Sequence, residues 1–214
     1  MRYWSSVGSL FFLIAVSVTI IACGGSERAP ATENTAAGTP TPVAVQSGPP
    51  FSQSLELHGI RFVVKSPNSG SDNKVTVTPS GLEITNEGFT KSVDGEVYGA
   101  EIGDLNVDRS PEVYIYVRQR GGNKRVSLIA YSANNRKSLS EVYLPDLDPQ
   151  SKDAAGYKGE DEFAVVENTL ARRFPIYDGT GANAKKTGKT RQFQYKLKQG
   201  EAGWVLSVDK VVEY

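Results

Sequence analysis

Side chains able to form covalent intermediates are scarce in this chain of 214 residues. It contains one histidine, His58, and one cysteine, Cys23, and it lacks the Gly-x-Ser-x-Gly turn that exposes a nucleophilic serine. His58 precedes Gly59 at the end of a predicted strand, where we expect an ordinary surface residue. The residue types therefore predict a protein that is not an enzyme and that acts through charged side chains.

A run of oxygen-bearing side chains occupies residues 104–112, DLNVDRSPE. Oxygen ligands at alternate positions can wrap a hard cation, as in the first half of an EF-hand loop. This pattern predicts a candidate calcium site formed by Asp104, Asn106, Asp108 and Glu112. The sixth and twelfth positions of such a loop are usually Gly and Glu, but here they are Arg109 and Ile115. The alternative is a turn whose Asp and Asn side chains accept hydrogen bonds from backbone amides. No other cofactor is predicted.

Three adjacent carboxylates, Glu160, Asp161 and Glu162, form an acidic cluster. Glycoside hydrolysis needs two carboxyl groups that flank a cleft, whereas neighbours on an extended chain point to opposite sides. We therefore expect this cluster to be a solvated entry to a strand.

Residues 112–131, EVYIYVRQRGGNKRVSLIAY, combine a basic cluster with a hairpin pattern. Apolar residues recur at every second position in two arms, as in half-buried strands, and Gly121, Gly122 and Asn123 favour a tight reversal. The tip projects four cationic side chains, those of Arg118, Arg120, Lys124 and Arg125. Two interpretations remain open: charges that protect an edge from aggregation, or donors that bind carboxylates in an acidic cleft. A second basic patch, in residues 178–191, is expected to be a soluble loop.

The N-terminus has the features of a bacterial lipoprotein signal peptide, in residues 1–22. Arg2 precedes an apolar run, residues 10–22, that is too short to span a bilayer comfortably. Cys23 follows that run directly, at the position where a lipoprotein signal peptidase requires an acylated cysteine. We predict lipidation of Cys23, export and membrane anchoring, and Gly24 favours an outer-membrane protein that faces the periplasm.

Residues 23–50 are predicted to be the lipidated cysteine and a disordered linker rich in Pro, Thr, Ala and Gly. Five of the eleven prolines lie here, and large apolar side chains are almost absent. The ends of such a coil would lie about 25–35 Å apart, and the extended linker would reach roughly 90 Å. Removal of residues 1–22 leaves one more acidic than basic residue, so the charge gives no indication of nucleic-acid binding.

Residues 51–214 are predicted to form one all-β domain, an antiparallel β-sandwich-like fold. Short alternating segments are separated by turn residues, and no helical period persists over three turns. The predicted strands outside the hairpin are 54–58, 60–65, 74–79, 82–86, 96–102, 162–166, 170–177, 191–198 and 204–212. One helical turn is predicted at Ser138–Tyr143, where Ser138 and Glu141 have capping-box spacing and Pro145 prevents a longer helix.

Several blocks of this domain resemble the bacterial periplasmic inhibitors of I-type (invertebrate-type) lysozyme. The first two are GYKGEDEF at 156–163 and LARRFPIY at 170–177. Further agreement comes from DLN at 104–106, PE at 111–112, AYSANN at 130–135, residues 138–144 and GW at 203–204. The blocks occur in the same order, and the resemblance covers residues 99–208.

The resemblance implies a β-sandwich-type domain that blocks a peptidoglycan-cleaving glycosidase and protects the cell wall from host lysozyme. In that family the inhibitory loop carries a Ser-Gly-x-Tyr motif just before the strand that here ends at Tyr131. The corresponding residues are Gly122, Asn123, Lys124 and Arg125, with Arg118 and Arg120 flanking them. Because the motif's serine hydroxyl and tyrosine ring are absent, we hypothesise that Lys124 or Arg125 donates to the two carboxylates of the cleft.

We therefore expect a lipid-anchored, non-enzymatic inhibitor of a lysozyme, with the I-type enzyme favoured. Its expected partners are a lysozyme or related peptidoglycan-cleaving glycosidase and the membrane, and a homodimer is left open. The alternative is a calcium-stabilised envelope lipoprotein that binds another protein or a glycan through its sheet faces.

Overall fold

The computed structural model describes residues 48–121 and 124–214, which fold almost entirely into β-strands. The predicted signal peptide, Cys23, the linker up to residue 47, and Gly122 and Asn123 lie outside the described residues. The strands of the described part are β1 (Phe51–Leu57), β2 (Ile60–Ser66), β3 (Lys74–Ser80), β4 (Phe89–Ser92), β5 (Gly95–Gly103), β6 (Glu112–Gln119), β7 (Val126–Asn134), β8 (Ser138–Tyr143), β9 (Glu162–Val166), β10 (Thr169–Asp178), β11 (Lys185–Gln199) and β12 (Trp204–Glu213). Within these residues, helical structure is limited to short 3-10 turns, Lys152–Ala154 and Gly181–Asn183, and no helix is long and apolar enough to cross a membrane.

Strands β1 to β4 form an antiparallel four-stranded sheet in chain order. In β2, IRFVVKS, the side chains of Ile60, Phe62 and Val64 are buried and the intervening positions are partly or fully exposed, as period-two alternation predicts. His58 and Gly59 connect β1 to β2, and both have positive φ, so two residues suffice to reverse the chain.

Strands β5 to β12 form an eight-stranded sheet in the order β5-β6-β7-β8-β12-β11-β10-β9. Neighbouring strands are antiparallel except β8 and β12, which meet in parallel where Val142 pairs with Trp204. The sheet curls until its two edge strands, β5 and β9, approach each other. The Glu101 carboxylate of β5 accepts hydrogen bonds from the Val165 N–H of β9 and from the Tyr116 hydroxyl. A side chain thus joins the two edges where a backbone ladder is lacking.

Two hydrophobic clusters share strand β6. One lies between the two sheets and includes Phe62, Val77, Val113, Ile115 and Tyr131. The other lies within the curl of the eight-stranded sheet and includes Tyr114, Tyr116, Phe174, Tyr195 and Leu206. Each large side chain that leaves water contributes about 1.5–3 kcal/mol, so β6 stabilises both clusters at once. The predicted all-β fold of packed antiparallel sheets is confirmed.

The predicted hairpin is confirmed as the antiparallel pair β6 and β7. Its burial differs from the expectation, because both faces of β6 are covered rather than one. Tyr114 and Tyr116, expected on the exposed face, are buried with their hydroxyl groups donating to the carboxylates of Glu112 and Glu101. These hydrogen bonds offset the cost of removing the hydroxyl groups from water.

Two local predictions are wrong. The segment Ser138–Tyr143 is strand β8 and not a helical turn, because hydrogen bonds to β7 and β12 outweigh a local capping-box spacing. The predicted strand at 82–86 is a loop, closed by the Asn86 side-chain amide, which both donates to and accepts from the Leu82 backbone. Strand β4 and residues 185–190 of β11 are strands that the sequence pattern does not predict.

Candidate functional site

The hairpin tip, residues 119–125, connects the two strands that carry both cores. The Gln119 N–H donates to the Arg125 carbonyl at 2.8 Å and closes the base of the tip. Lys124 has a positive φ of 46°, and its side chain and that of Arg125 are exposed. The structure describes four of the six residues predicted to form the inhibitory loop, and these four lie at this end of the hairpin: Arg118, Arg120, Lys124 and Arg125.

Two of these cations lie over tyrosine rings. The Arg118 guanidinium is 4.4 Å from the ring centre of Tyr98 on β5, and the Arg125 guanidinium is 5.5 Å from the ring centre of Tyr157. Burial raises the pKa of Tyr98, against the opposing effect of the Arg118 charge. Stacking of this kind orients a guanidinium while its N–H groups remain available to a carboxylate.

A second loop, residues 156–161, supports the tip from the side. The Glu160 N–H donates to the Lys124 carbonyl at 3.1 Å, and the Val126 N–H donates to the Asp161 carboxylate at 3.3 Å. Glu160 also has a positive φ, of 62°. The chain that leaves the tip is therefore held by this loop at two points, on either side of Arg125.

Asp161 and Arg172 form a buried ion pair beneath this loop. Nε and Nη2 of Arg172 both lie 2.8 Å from Oδ1 of Asp161, and the Tyr157 hydroxyl donates to Oδ2 at 2.7 Å. The guanidinium also packs against three aromatic rings, those of Tyr157, Phe163 and Phe174. Burial and the hydrogen bond to Asp161 raise the pKa of Tyr157 to about 12. A buried charged pair thus lies beneath the loop that supports the tip.

The acidic cluster is not the uniformly solvated strand entry that the sequence predicts. Asp161 is buried, and Glu162 is the most exposed of the three. Glu160 accepts hydrogen bonds from Nζ of Lys186, at 2.6 Å, and from the Tyr177 hydroxyl, and these donors lower the pKa of Glu160. Lys186 belongs to the basic patch that was expected to be a loop, but it lies in β11.

Hollows lie on both sides of the hairpin base. One has a volume of about 790 Å³, and its lining includes Tyr98, Arg118, Lys124, Glu160 and Arg173. The other has a volume of about 770 Å³ and lies between Arg125, Tyr157 and residues 143–147. Open space therefore lies beside both Lys124 and Arg125 at the base of the tip.

Three residues of the candidate calcium site, Asp104, Asn106 and Asp108, lie in the turn between β5 and β6, at the opposite end of the hairpin, and Glu112 begins β6. Asp104 accepts hydrogen bonds from the N–H groups of Asp108, at 3.0 Å, and Arg109, at 2.9 Å. Asp108 accepts from the Ser110 N–H at 2.7 Å and from the Asn106 side chain at 2.8 Å. These contacts are those of a turn closed by Asp side chains.

Glu112, the fourth candidate ligand, is fully buried beside this turn. It accepts a hydrogen bond from the Leu105 N–H at 3.0 Å, and burial raises the pKa of its carboxyl group to about 8. No group of three or more His, Cys, Asp or Glu side chains able to hold a metal occurs in residues 48–121 and 124–214. Calcium binding stays a prediction, and its test is a calcium-dependent rise in Tm that Asp104→Asn with Asp108→Asn abolishes.

Comparison with known proteins adds no relative, because no protein-family model, curated protein or solved structure matches this chain. The residues around the tip that sequence reasoning missed are Tyr98, Tyr157, Lys158, Asp161 and Arg172. One signal was present in the sequence, since Gly156 and Gly159 frame a tight loop, and both have positive φ. Chemically, the assembled site is a surface of cationic donors suited to carboxylates.

Proposed function

We propose that this protein is a lipid-anchored inhibitor of a lysozyme, I-type by preference, that blocks the glycosidase cleft with its basic hairpin tip. The proposal combines the ordered blocks of family resemblance with the geometry of the tip. It includes attachment through an acylated Cys23, at the outer membrane and facing the periplasm. The protein would carry out no covalent chemistry of its own.

The observation that carries the proposal is the presentation of four cations on a hairpin that is buried on both faces of β6 and fixed from the side by loop 156–161. Residues that are held in place before binding lose little conformational entropy when they bind, so their contacts contribute more fully to affinity. A charged hairpin that served only for solubility would not require this bracing.

The chemistry of inhibition follows from the target. A lysozyme cleft contains two carboxyl groups that flank the scissile bond. Lys124 and Arg125, which lie between the two hollows, supply charged donors to those carboxylates and exclude the substrate. The two hollows leave room for the walls of the cleft.

The test uses the mature chain from Gly24 to Tyr214, made without its acyl group, against I-, C- and G-type lysozymes. We expect binding and inhibition of at least one type, with Lys124→Ala plus Arg125→Ala weakening the complex by well over tenfold. The matched control is Arg109→Ala plus Lys198→Ala, which removes the same charge from the opposite end of the domain. Absence of binding to every type, or equal affinities of the two double variants, would contradict the proposal.

A further inference from the structure

Loop 156–161 carries a cation of its own beside the hairpin tip. Lys158 is exposed, between Tyr157, whose ring lies under Arg125, and Gly159, which is buried. Two residues further on, Glu160 donates its N–H to the Lys124 carbonyl. Lys158 therefore places an exposed cation on a second loop, two residues from the contact between that loop and the tip.

We propose that the described residues of the hairpin tip, 119–121 and 124–125, form one bipartite surface with loop 156–161, which binds a partner protein through acidic side chains on both walls of a cleft. The identity of that partner as a lysozyme rests on the proposed function, but the bipartite surface does not. Its cationic members are Arg120, Lys124, Arg125 and Lys158.

The charge balance favours an acidic partner. The ion pairs among the described residues include none of these four cations. Two carboxylates beside the tip are engaged by other cations, because Glu160 pairs with Lys186 and Asp161 pairs with Arg172. Excess positive charge on an exposed loop attracts an acidic surface and raises the rate of association.

Asp161 is the positioning residue of this surface. Its carboxylate accepts from the Val126 N–H on one side and holds the Tyr157 hydroxyl and Arg172 on the other. One side chain thereby links the chain that leaves the tip to the loop that carries Lys158. Lys124 and Glu160 both adopt positive φ, a conformation that persists in residues other than glycine where the surroundings enforce it.

The first experiment measures association of the mature chain with I-type lysozyme and, in a separate arm, with a short poly-glutamate peptide followed by NMR. Lys158→Glu is expected to slow association with lysozyme about as much as Lys124→Glu, roughly tenfold at low salt. Lys198→Glu, at the far end of β11, makes the same charge change and is expected to have little effect. The peptide is expected to shift the amide signals of Lys124 and Lys158 together.

The outcomes separate this inference from the proposed function. If no lysozyme binds but the peptide shifts both amides, the bipartite surface stands and the proposed target is wrong. If Lys158→Glu behaves like Lys198→Glu in both arms, the bipartite surface is overturned whatever the target.

The second experiment tests the positioning role through Asp161→Asn, which keeps the shape of the side chain and removes its charge. We expect faster hydrogen exchange at the Val126 amide and a dissociation rate that rises about tenfold, while the association rate changes little. Loss of folded protein alone would lower the amplitude of binding and leave both rates unaltered. Unchanged exchange at Val126 together with an unchanged dissociation rate would overturn the role of Asp161.

Discussion

Asp161 and Glu112 are both carboxyl groups removed from water, but their surroundings differ. Asp161 is matched by the Arg172 guanidinium and the Tyr157 hydroxyl. Among the described residues, no cation forms an ion pair with Glu112. Burial raises the pKa of its carboxyl group to about 8. Substitution is therefore expected to affect stability differently at the two positions.

Replacing Arg172 by Met should destabilise the domain by about 3–5 kcal/mol, because the Asp161 carboxylate remains buried without its counter-charge. Adding Asp161→Asn should recover part of this loss. The control is Arg173→Met on the same strand, whose exposed pair with Glu162 contributes about 1 kcal/mol or less. Urea denaturation of the three variants and the unsubstituted protein measures the differences, and equal losses for Arg172→Met and Arg173→Met would contradict the assignment.

Glu112 predicts a pH dependence of stability with a definite sign. Its pKa in the folded state, about 8, lies above the ordinary value of 4.5, so the folded protein binds the proton more tightly than the unfolded chain. The contribution of this group is complete below about pH 4.5 and is lost as the pH rises through about 8. We expect Glu112→Gln to remove this dependence and to gain a few kcal/mol relative to the unsubstituted protein between these limits.

The measurement is the free energy of unfolding across this pH range, with a chelator present, because a bound cation would keep the carboxylate charged. Parallel pH profiles of the two proteins would contradict the prediction.

At the scale of the elements, much of the architecture follows from period-two alternation. It locates β2, β3, β5, β9, β10, β12 and the β6–β7 hairpin, together with the basic character of the tip. The alternation does not predict that β6 is buried on both faces. Tyrosines at alternate positions are typical of a half-exposed strand, but here their hydroxyl groups donate hydrogen bonds to carboxylates. Which strands cover an element is a tertiary property that local periodicity does not contain.

The contacts of Asp161 beneath the tip could not be predicted from the sequence for a related reason. Asp161 and Arg172 meet because β9 pairs with β10, and Val126 reaches Asp161 because the curl of the sheet brings β7 near loop 156–161. Three consecutive acidic residues give no local sign that the middle one alone is buried. The position of the candidate site is thus predictable, whereas the contacts that hold it require the fold.

Strand β8 provides a test of an element that the sequence pattern assigns wrongly. Ser140→Pro should cost about 3 kcal/mol or more, because proline disrupts a strand flanked by β7 and β12. In a helical turn capped by Ser138, proline at this early position would be tolerated. The control is Ser140→Ala, expected to be neutral or stabilising since the Ser140 hydroxyl is buried without a partner among the described residues. Thermal unfolding of both variants distinguishes strand from turn.

For the whole molecule, the described part of the domain begins at the same end as the tip. Gly48 lies against the Glu96 side chain, and Glu96 pairs with Arg118 across β5 and β6. If Cys23 is anchored as proposed, the distance between the tip and the membrane depends on the residues that separate Cys23 from Gly48. Extended, those residues would span roughly 80 Å.

Deleting residues 25–44 should therefore abolish protection of cells whose outer membrane has been permeabilised, while inhibition by the purified soluble chain stays unchanged. The membrane would then occlude the tip from a large enzyme. Replacing the same residues with a Gly/Ser segment of equal length retains the reach and should retain protection. Lysis rates on addition of lysozyme measure the effect, and full protection by the shortened protein would show that reach is not required.

The polar contacts around Asn68 have a mechanical consequence. The Asn68 side chain donates to the carbonyls of Pro49, at 2.8 Å, and Val97, at 3.0 Å, and accepts from the Val97 N–H. Val97 pairs with Val117 near the tip. If Cys23 is anchored and the tip binds an enzyme as proposed, these contacts connect the start of the domain at Pro49 directly to β5 and β6, and tension between the two attachments would act on them.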